Sequence, residues 1–179
     1  MDSLVDKIIV LHQALKDASL PHAFGGALAL AWCTERARGT IDIDVNILVP
    51  DNDYMRAVDA MPEGVKVTKK DLQMFRQEGQ VRLWWSRTPV DVFLNSTDFH
   101  EQLANRIRWE TFAGHNVPFL SCMDLAVFKA FFNRTRDWAD LEEMFLAGTL
   151  NVEQVQVTLV KYLGVDDERI ERLIVLQDL

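Results

Sequence analysis

The sequence predicts an α/β or α+β fold, with a mixed sheet flanked by helices over residues 1–120 and a C-terminal helical region packed on it over residues 121–179. Three observations predict it. The runs Ile41-Asp42-Ile43-Asp44-Val45-Asn46-Ile47 and Val90-Asp91-Val92-Phe93-Leu94 alternate with the period of two expected of strands. The pair Gly25-Gly26 interrupts an apolar stretch where a strand gives way to a helix. From Ser121 onward the chain reads as successive helices, with Gly148-Thr149 and Gly164 among the breaks between them.

Residues 3–17 place apolar side chains at Leu4, Val5, Ile8, Ile9, Leu11 and Leu15, the spacing of an amphipathic helix that Pro21 terminates. A short strand to Phe24 leads into Gly25-Gly26, and residues 27–37, rich in Ala and Leu, read as a buried helix. Gly39 turns the chain into the Asp42 strand, Pro50 ends that strand, and Asp51 can cap a helix to about Ala60. After Pro62 and Gly64, residues 65–67, 81–85 and 90–94 read as strands, with Arg87, Thr88 and Pro89 connecting the last two. Residues 98–106 read as a helix capped by Ser96 or Thr97, and 109–120 as extended chain around Gly114 and Pro118. Ser121 with Asp124 approximates a capping box, and helices then end near Asn133, Ala147, Leu163 and Leu176.

A chain of 179 residues suffices for one well-buried domain with a helical appendage. No apolar run is long enough to span a bilayer, and the first segment lacks the form of a signal peptide, so a cytoplasmic protein without membrane partners is expected. Cys33 and Cys122 are far apart and belong to no CxxC or Cys/His pattern, which favours buried free thiols over a disulfide or zinc site. The net charge of -8 argues against coating nucleic acid through overall positive charge. A local basic stretch, Lys66, Lys69, Lys70, Arg76, Arg82 and Arg87, opposes only Asp71 and Glu78, and reads first as the solvated face of a hairpin. Trp84 and Trp85 inside it must point to opposite strand faces, so one packs and the other is free to stack.

In the first alternating run, Ile41, Ile43, Val45 and Ile47 are expected in the core while Asp42, Asp44 and Asn46 share the other face. Strands disfavour Asp, so two of them at this spacing call for a chemical reason. Carboxylates that close repel unless a cation lies between them, and such hard oxygen ligands suit Mg²⁺ or Mn²⁺. Should the strand carrying Asp91 be a neighbour, three carboxylates converge, the protein half of a two-metal site. Gly25-Gly26 permits phosphate oxygens to approach backbone N–H groups at a helix start. It is neither a Walker loop, since no Gly-Lys-Ser/Thr follows, nor a Rossmann fingerprint, since the glycine spacing is wrong. His12, His22, His100 and His115 show no ligand spacing, and only His22, just before the glycines, draws notice.

Gly25-Gly26, then Arg38-Gly39-Thr40-Ile41-Asp42-Ile43-Asp44, then Asp91 in a later strand resemble the DNA polymerase beta-like nucleotidyltransferase superfamily. Asp124-Leu125 with Lys129, then Arg134, Arg136-Asp137 and Asp140-Leu141, is similar to the C-terminal motif of AbiEii-type nucleotidyltransferases, toxins of abortive-infection toxin/antitoxin systems. The resemblance covers roughly residues 20–145. It implies a nucleotidyltransferase-type sheet, an NTP co-substrate and Mg²⁺ or Mn²⁺ held by Asp42 and Asp44, with Asp91 completing the site and helping to deprotonate an acceptor hydroxyl. Gly25 and Gly26 would cradle the β and γ phosphates with Arg38 and Thr40 nearby, Lys129 would meet the triphosphate, and Asp137 or Asp140 would hold it or the acceptor. From the residues alone, Lys129 is equally a snorkelling side chain, and Arg134, Arg136, Asp137 and Asp140 equally a helix-surface ion network.

The acceptor implied by the toxin resemblance is RNA such as tRNA, with an antitoxin as partner. Drug-modifying nucleotidyltransferases share the glycine and aspartate pattern, so an aminoglycoside or lincosamide acceptor is the alternative, which the acidic charge suits. A silent nucleotide- or partner-binding module is the third reading.

Overall fold

In the computed structural model, residues 3–179 are described. The chain divides into two compact units, one of residues up to Leu28 with Gly39–Leu120, the other of Ala29–Arg38 with Ser121–Leu179.

The first unit is built on a seven-stranded mixed sheet: β1 (His22–Phe24), β2 (Ile43–Pro50), β3 (Val65–Lys66), β4 (Gln80–Trp85), β5 (Thr88–Asn95), β6 (Arg108–Phe112) and β7 (His115–Phe119). Their order is β3-β4-β5-β2-β1-β7-β6. β2 and β5 run parallel at its centre, with Asp44 opposite Asp91. Alternation then sorts the side chains: Ile43, Val45, Ile47, Leu83, Val90 and Val92 are fully buried, whereas Asp44, Arg82 and Asp91 fall on the other face. Ile41 departs from the expected core set. It precedes the strand and is 74% exposed. Trp84 and Trp85 divide as expected, Trp84 half exposed and Trp85 buried beneath the Lys7 ammonium.

The helices of this unit are α1 (Leu4–Asp17), α3 (Tyr54–Asp59), α4 (Lys69–Glu78) and α5 (Asp98–Gln102), and α2 (Gly26–Thr34) begins in it. A capping box from Ser3 and Asp6 starts α1, which buries Ile8, Leu11, His12 and Leu15. The basic stretch is not a hairpin face alone, because α4 interrupts it, capped by Thr68 with Asp71 and closed by Gly79 at φ 63°. Only Phe75 of α4 is buried, so its apolar signal is a single ring. The turn between β4 and β5 is Ser86-Arg87, with Thr88 and Pro89 already in the strand.

The second unit gathers the later residues of α2 with α6 (Cys122–Phe132), α7 (Thr135–Leu146), α8 (Val152–Leu163) and α9 (Glu168–Val175). Ser121 caps α6 by accepting from the Asp124 N–H, and Asn133 ends it in the left-handed region at φ 57°. The two cysteines are joined as a Cys33–Cys122 disulfide, contrary to the free thiols expected. They are 89 positions apart in sequence, so only the tertiary fold brings their Cα atoms to 5.6 Å. Among the described residues no helix is long and apolar enough to cross a membrane.

His12 and His22 form a buried pair in the first unit. Because the Leu20 carbonyl can only accept, His22 Nδ1–H donates to it at 2.8 Å, leaving Nε2 to accept from His12 Nδ1–H at 2.9 Å. Burial pushes both imidazoles down, His22 to about 4. The unfolded imidazole takes up its proton near 6.5, so the pair's contribution to stability is complete above that pH and is lost as pH falls towards about 4. An NMR titration of the His22 ring is expected to give a midpoint near 4. A midpoint at or above 6.5 would contradict the buried neutral pair.

Candidate active site

The register of the sheet assembles the candidate site in one row. Arg82 of β4 lies opposite Asp91 of β5, Asp91 lies opposite Asp44 of β2, and the Gly25 N–H after β1 donates to the Asp44 carbonyl at 2.9 Å. Neighbours directly opposite across strands share a face with Cβ atoms about 5 Å apart. Asp42 stands just before β2, where Thr40 accepts from its N–H at 3.2 Å and donates to its carbonyl at 3.4 Å.

The glycine pair is required by this geometry. A Cβ on Gly25 would approach Leu120 Cδ1 at 3.2 Å and Asn46 Nδ2 at 3.5 Å. Gly26 has φ +54°, and a Cβ there would overlap the Asp44 carboxylate, reaching its Cγ at 2.6 Å. The backbone can therefore lie directly against the Asp44 carboxylate. Asn46, two residues beyond Asp44, is 4% exposed and its Oδ1 has no hydrogen-bond partner. An orphaned buried acceptor costs about 1–3 kcal/mol, which a polar ligand or water would relieve.

Arg82 dominates the electrostatics. Its Nε and Nη2 donate to the two Asp91 oxygens at 2.8 and 2.7 Å, and Nη2 stands 3.6 Å from Asp42 Oδ2. The hydrogen bonds from Arg82 to Asp91, with the charges of Asp91, Asp42 and Asp44, hold its guanidinium well above the ordinary arginine range despite partial burial. Among the described residues no group of three or more His, Cys, Asp or Glu side chains is gathered to hold a metal ion. In donor type, the hard oxygens of Asp42, Asp44 and Asp91 and the orphaned Asn46 Oδ1 are of the kind a divalent cation takes. In the arrangement seen, Arg82 engages both oxygens of Asp91.

The remaining sequence candidates lie in the second unit, in a separate ion network. Lys129 donates to Asp140 at 2.6 Å and stands 3.7 Å from Asp137, Arg38 grips Asp140 through both oxygens at 2.6 and 3.1 Å, and Arg134 pairs with Asp137 at 2.7 Å. Burial pushes the Asp140 carboxyl up, but hydrogen bonds from Arg38 and Lys129 outweigh it and hold it below the usual range. Of the four residues in the alternative helix-surface network, Arg134 and Arg136 are exposed while Asp137 and Asp140 are buried, as is Lys129. Sequence reasoning put Asn46 on the face of the aspartates without giving it a role, and it treated Arg82 only as one charge in a basic stretch. Its signal was positional: the Ser86-Arg87 turn makes Arg82 the partner of Asp91.

Gly26→Ala should lower the unfolding free energy by about 1–3 kcal/mol, because alanine is strained at positive φ and its methyl displaces Asp44. Urea unfolding checks this, and an unchanged midpoint would mean that the turn tolerates a side chain. Lys129→Met removes a shared cation from two buried carboxylates and should cost about 3 kcal/mol in the same experiment.

No protein-family model matches the sequence, and no curated protein matches it. Solved structures do resemble it. The solution structure of the antibiotic-resistance factor ANT(2'')-Ia aligns with TM-score 0.63 and 16% identity, covering 97% of this chain and 95% of that one. The crystal structure of ANT(2'')-Ia in complex with adenylyl-2''-tobramycin aligns with TM-score 0.58 and 14% identity, covering 97% of each chain. An antigenic nucleotidyltransferase-like protein from Paracoccidioides brasiliensis aligns with TM-score 0.53 and 15% identity, covering 96% of this chain and 92% of that one. At these identities the likeness is one of architecture, and the chain shares the fold of these structures.

Proposed function

We propose that the chain is a divalent-metal-dependent nucleotidyltransferase that moves a nucleoside monophosphate from an NTP to a hydroxyl acceptor and releases pyrophosphate. The observation that carries this reading is the register that sets Asp91 opposite Asp44, with the Gly25-Gly26 turn hydrogen-bonded to the same strand. A bound Mg²⁺ or Mn²⁺ supplies neutralisation of the triphosphate and acidification of the acceptor hydroxyl. Asp42, Asp44 and Asp91 are its proposed holders. Asp91, once released by Arg82, accepts the hydroxyl proton; the acceptor oxygen then bonds to the α phosphorus as the bond from that phosphorus to the bridging oxygen breaks. Gly25 and Gly26 let the β and γ phosphates approach the backbone, and Thr40 keeps Asp42 at the head of the strand.

Arg38, Lys129, Asp137 and Asp140 are proposed to hold triphosphate or acceptor, a role that requires exchange of the internal partners they have in the second unit.

For the acceptor, we favour a small cationic alcohol such as an aminoglycoside. The net charge of -8 suits it, and the ANT(2'')-Ia structure with adenylyl-2''-tobramycin has the same architecture. The RNA acceptor follows from the toxin resemblance, and the basic stretch that would suit it is partly engaged: Arg82 is paired with Asp91, and Arg76 donates to the Tyr54 hydroxyl. A cytoplasmic site of action is part of the proposal.

Labelled NTP and Mg²⁺ supplied with an aminoglycoside and lincosamide panel or with total tRNA should label the drug. Label on tRNA alone would restore the RNA reading, and label on neither would favour a silent nucleotide-binding module. Asp44→Asn is expected to lower turnover at least about a hundredfold while thermal unfolding stays cooperative. Undiminished turnover would remove Asp44 from the site.

A further inference from the structure

Arg82 has a relation to the acid site that neither the glycine pair nor the aspartate spacing requires. It stands directly across from Asp91, and its guanidinium takes both oxygens of that carboxylate at 2.8 and 2.7 Å while remaining 3.6 Å from Asp42. A planar guanidinium fits one carboxylate bidentately, but a single positive charge cannot match three carboxylates as a divalent cation can. With both oxygens of Asp91 held in the guanidinium fork, a metal arriving on that edge of the carboxylate competes with Arg82 for its lone pairs and its charge. Arg82 is also half exposed, on a long flexible stem, so it can leave without disturbing the strand that carries it.

We infer that Arg82 is the resident counter-cation of the acid site, holding Asp91 and Asp42 together without ligand and leaving them when a divalent metal arrives. This rests on the metal site proposed above. Metal uptake by the free protein is then an exchange of one cation for another and is weakened by the free energy of the pair. A partly exposed bidentate pair is worth about 1 kcal/mol, so the exchange weakens metal binding roughly fivefold to tenfold. An arriving triphosphate offers the guanidinium another anionic partner, which couples metal uptake to nucleotide.

Mn²⁺ binding without nucleotide, read from the electron paramagnetic resonance signal of the free ion, tests this on wild type, Arg82→Gln and Arg82→Lys. Arg82→Gln should bind Mn²⁺ about fivefold to tenfold more tightly than wild type, with Arg82→Lys between them because it keeps the charge and loses the fork. A structural role alone would weaken binding in both variants. Wild type that binds Mn²⁺ and transfers nucleotide, with no tightening in Arg82→Gln, would overturn the role of Arg82 and leave the proposed function standing. Absence of binding in all three proteins, with or without NTP, would overturn both. Should Arg82→Gln fail to fold, tightening in Arg82→Lys supports the exchange and equal or weaker binding refutes it.

Discussion

Two carboxylates facing each other across parallel strands repel, and the arrangement around Asp44 and Asp91 follows from how that repulsion is met. Both lie on the central parallel strands β2 and β5, where the buried Ile43, Val45, Val90 and Val92 fix the register. Shifting either strand by one residue would turn those apolar side chains out of the core, so the carboxylates cannot relax apart by slipping. The charge has to be balanced in place. In this structure Arg82 does so from the third strand in the row, and a divalent cation is the other group whose charge and hard oxygen preference suit the position.

The same constraint explains the glycines. The chain leaving β1 donates its Gly25 N–H to the Asp44 carbonyl, which brings the following residue against the Asp44 side chain at a backbone angle that favours glycine. That turn opens helix α2 beside the acid row, next to the orphaned Asn46 amide oxygen. The second unit balances its charge differently. There Lys129, Arg38 and Arg134 already satisfy the buried Asp137 and Asp140, a self-contained network that holds α6, α7 and the segment after α2 together.

Much of the fold was legible in the sequence, and the parts that were not have physical reasons. The central strands were readable because branched apolar residues alternating with polar ones match the pleat of a strand and not the turn of a helix. The helices after Ser121 were readable because caps and glycines mark their ends. α4 was missed although Thr68, Asp71 and Gly79 all signal it, because one buried phenylalanine in a polar run gives no apolar stripe. Placing the connection at residues 87–89 rather than at Ser86-Arg87 shifts the hairpin register by three and sets Trp85, not Arg82, opposite Asp91. That error concealed the cation of the site. Ile41 shares the alternation yet is exposed because the strand begins at Ile43. The disulfide depends on contacts between distant segments, which no local pattern encodes.

A crystal structure of the protein soaked with Mn²⁺ and a non-hydrolysable NTP analogue tests the central claim most directly. The account predicts anomalous scattering from metal coordinated by Asp42, Asp44 and Asp91, phosphate oxygens against Gly25-Gly26, and the Arg82 guanidinium withdrawn from Asp91. Nucleotide bound elsewhere, or metal absent with Arg82 still on both Asp91 oxygens, would contradict it.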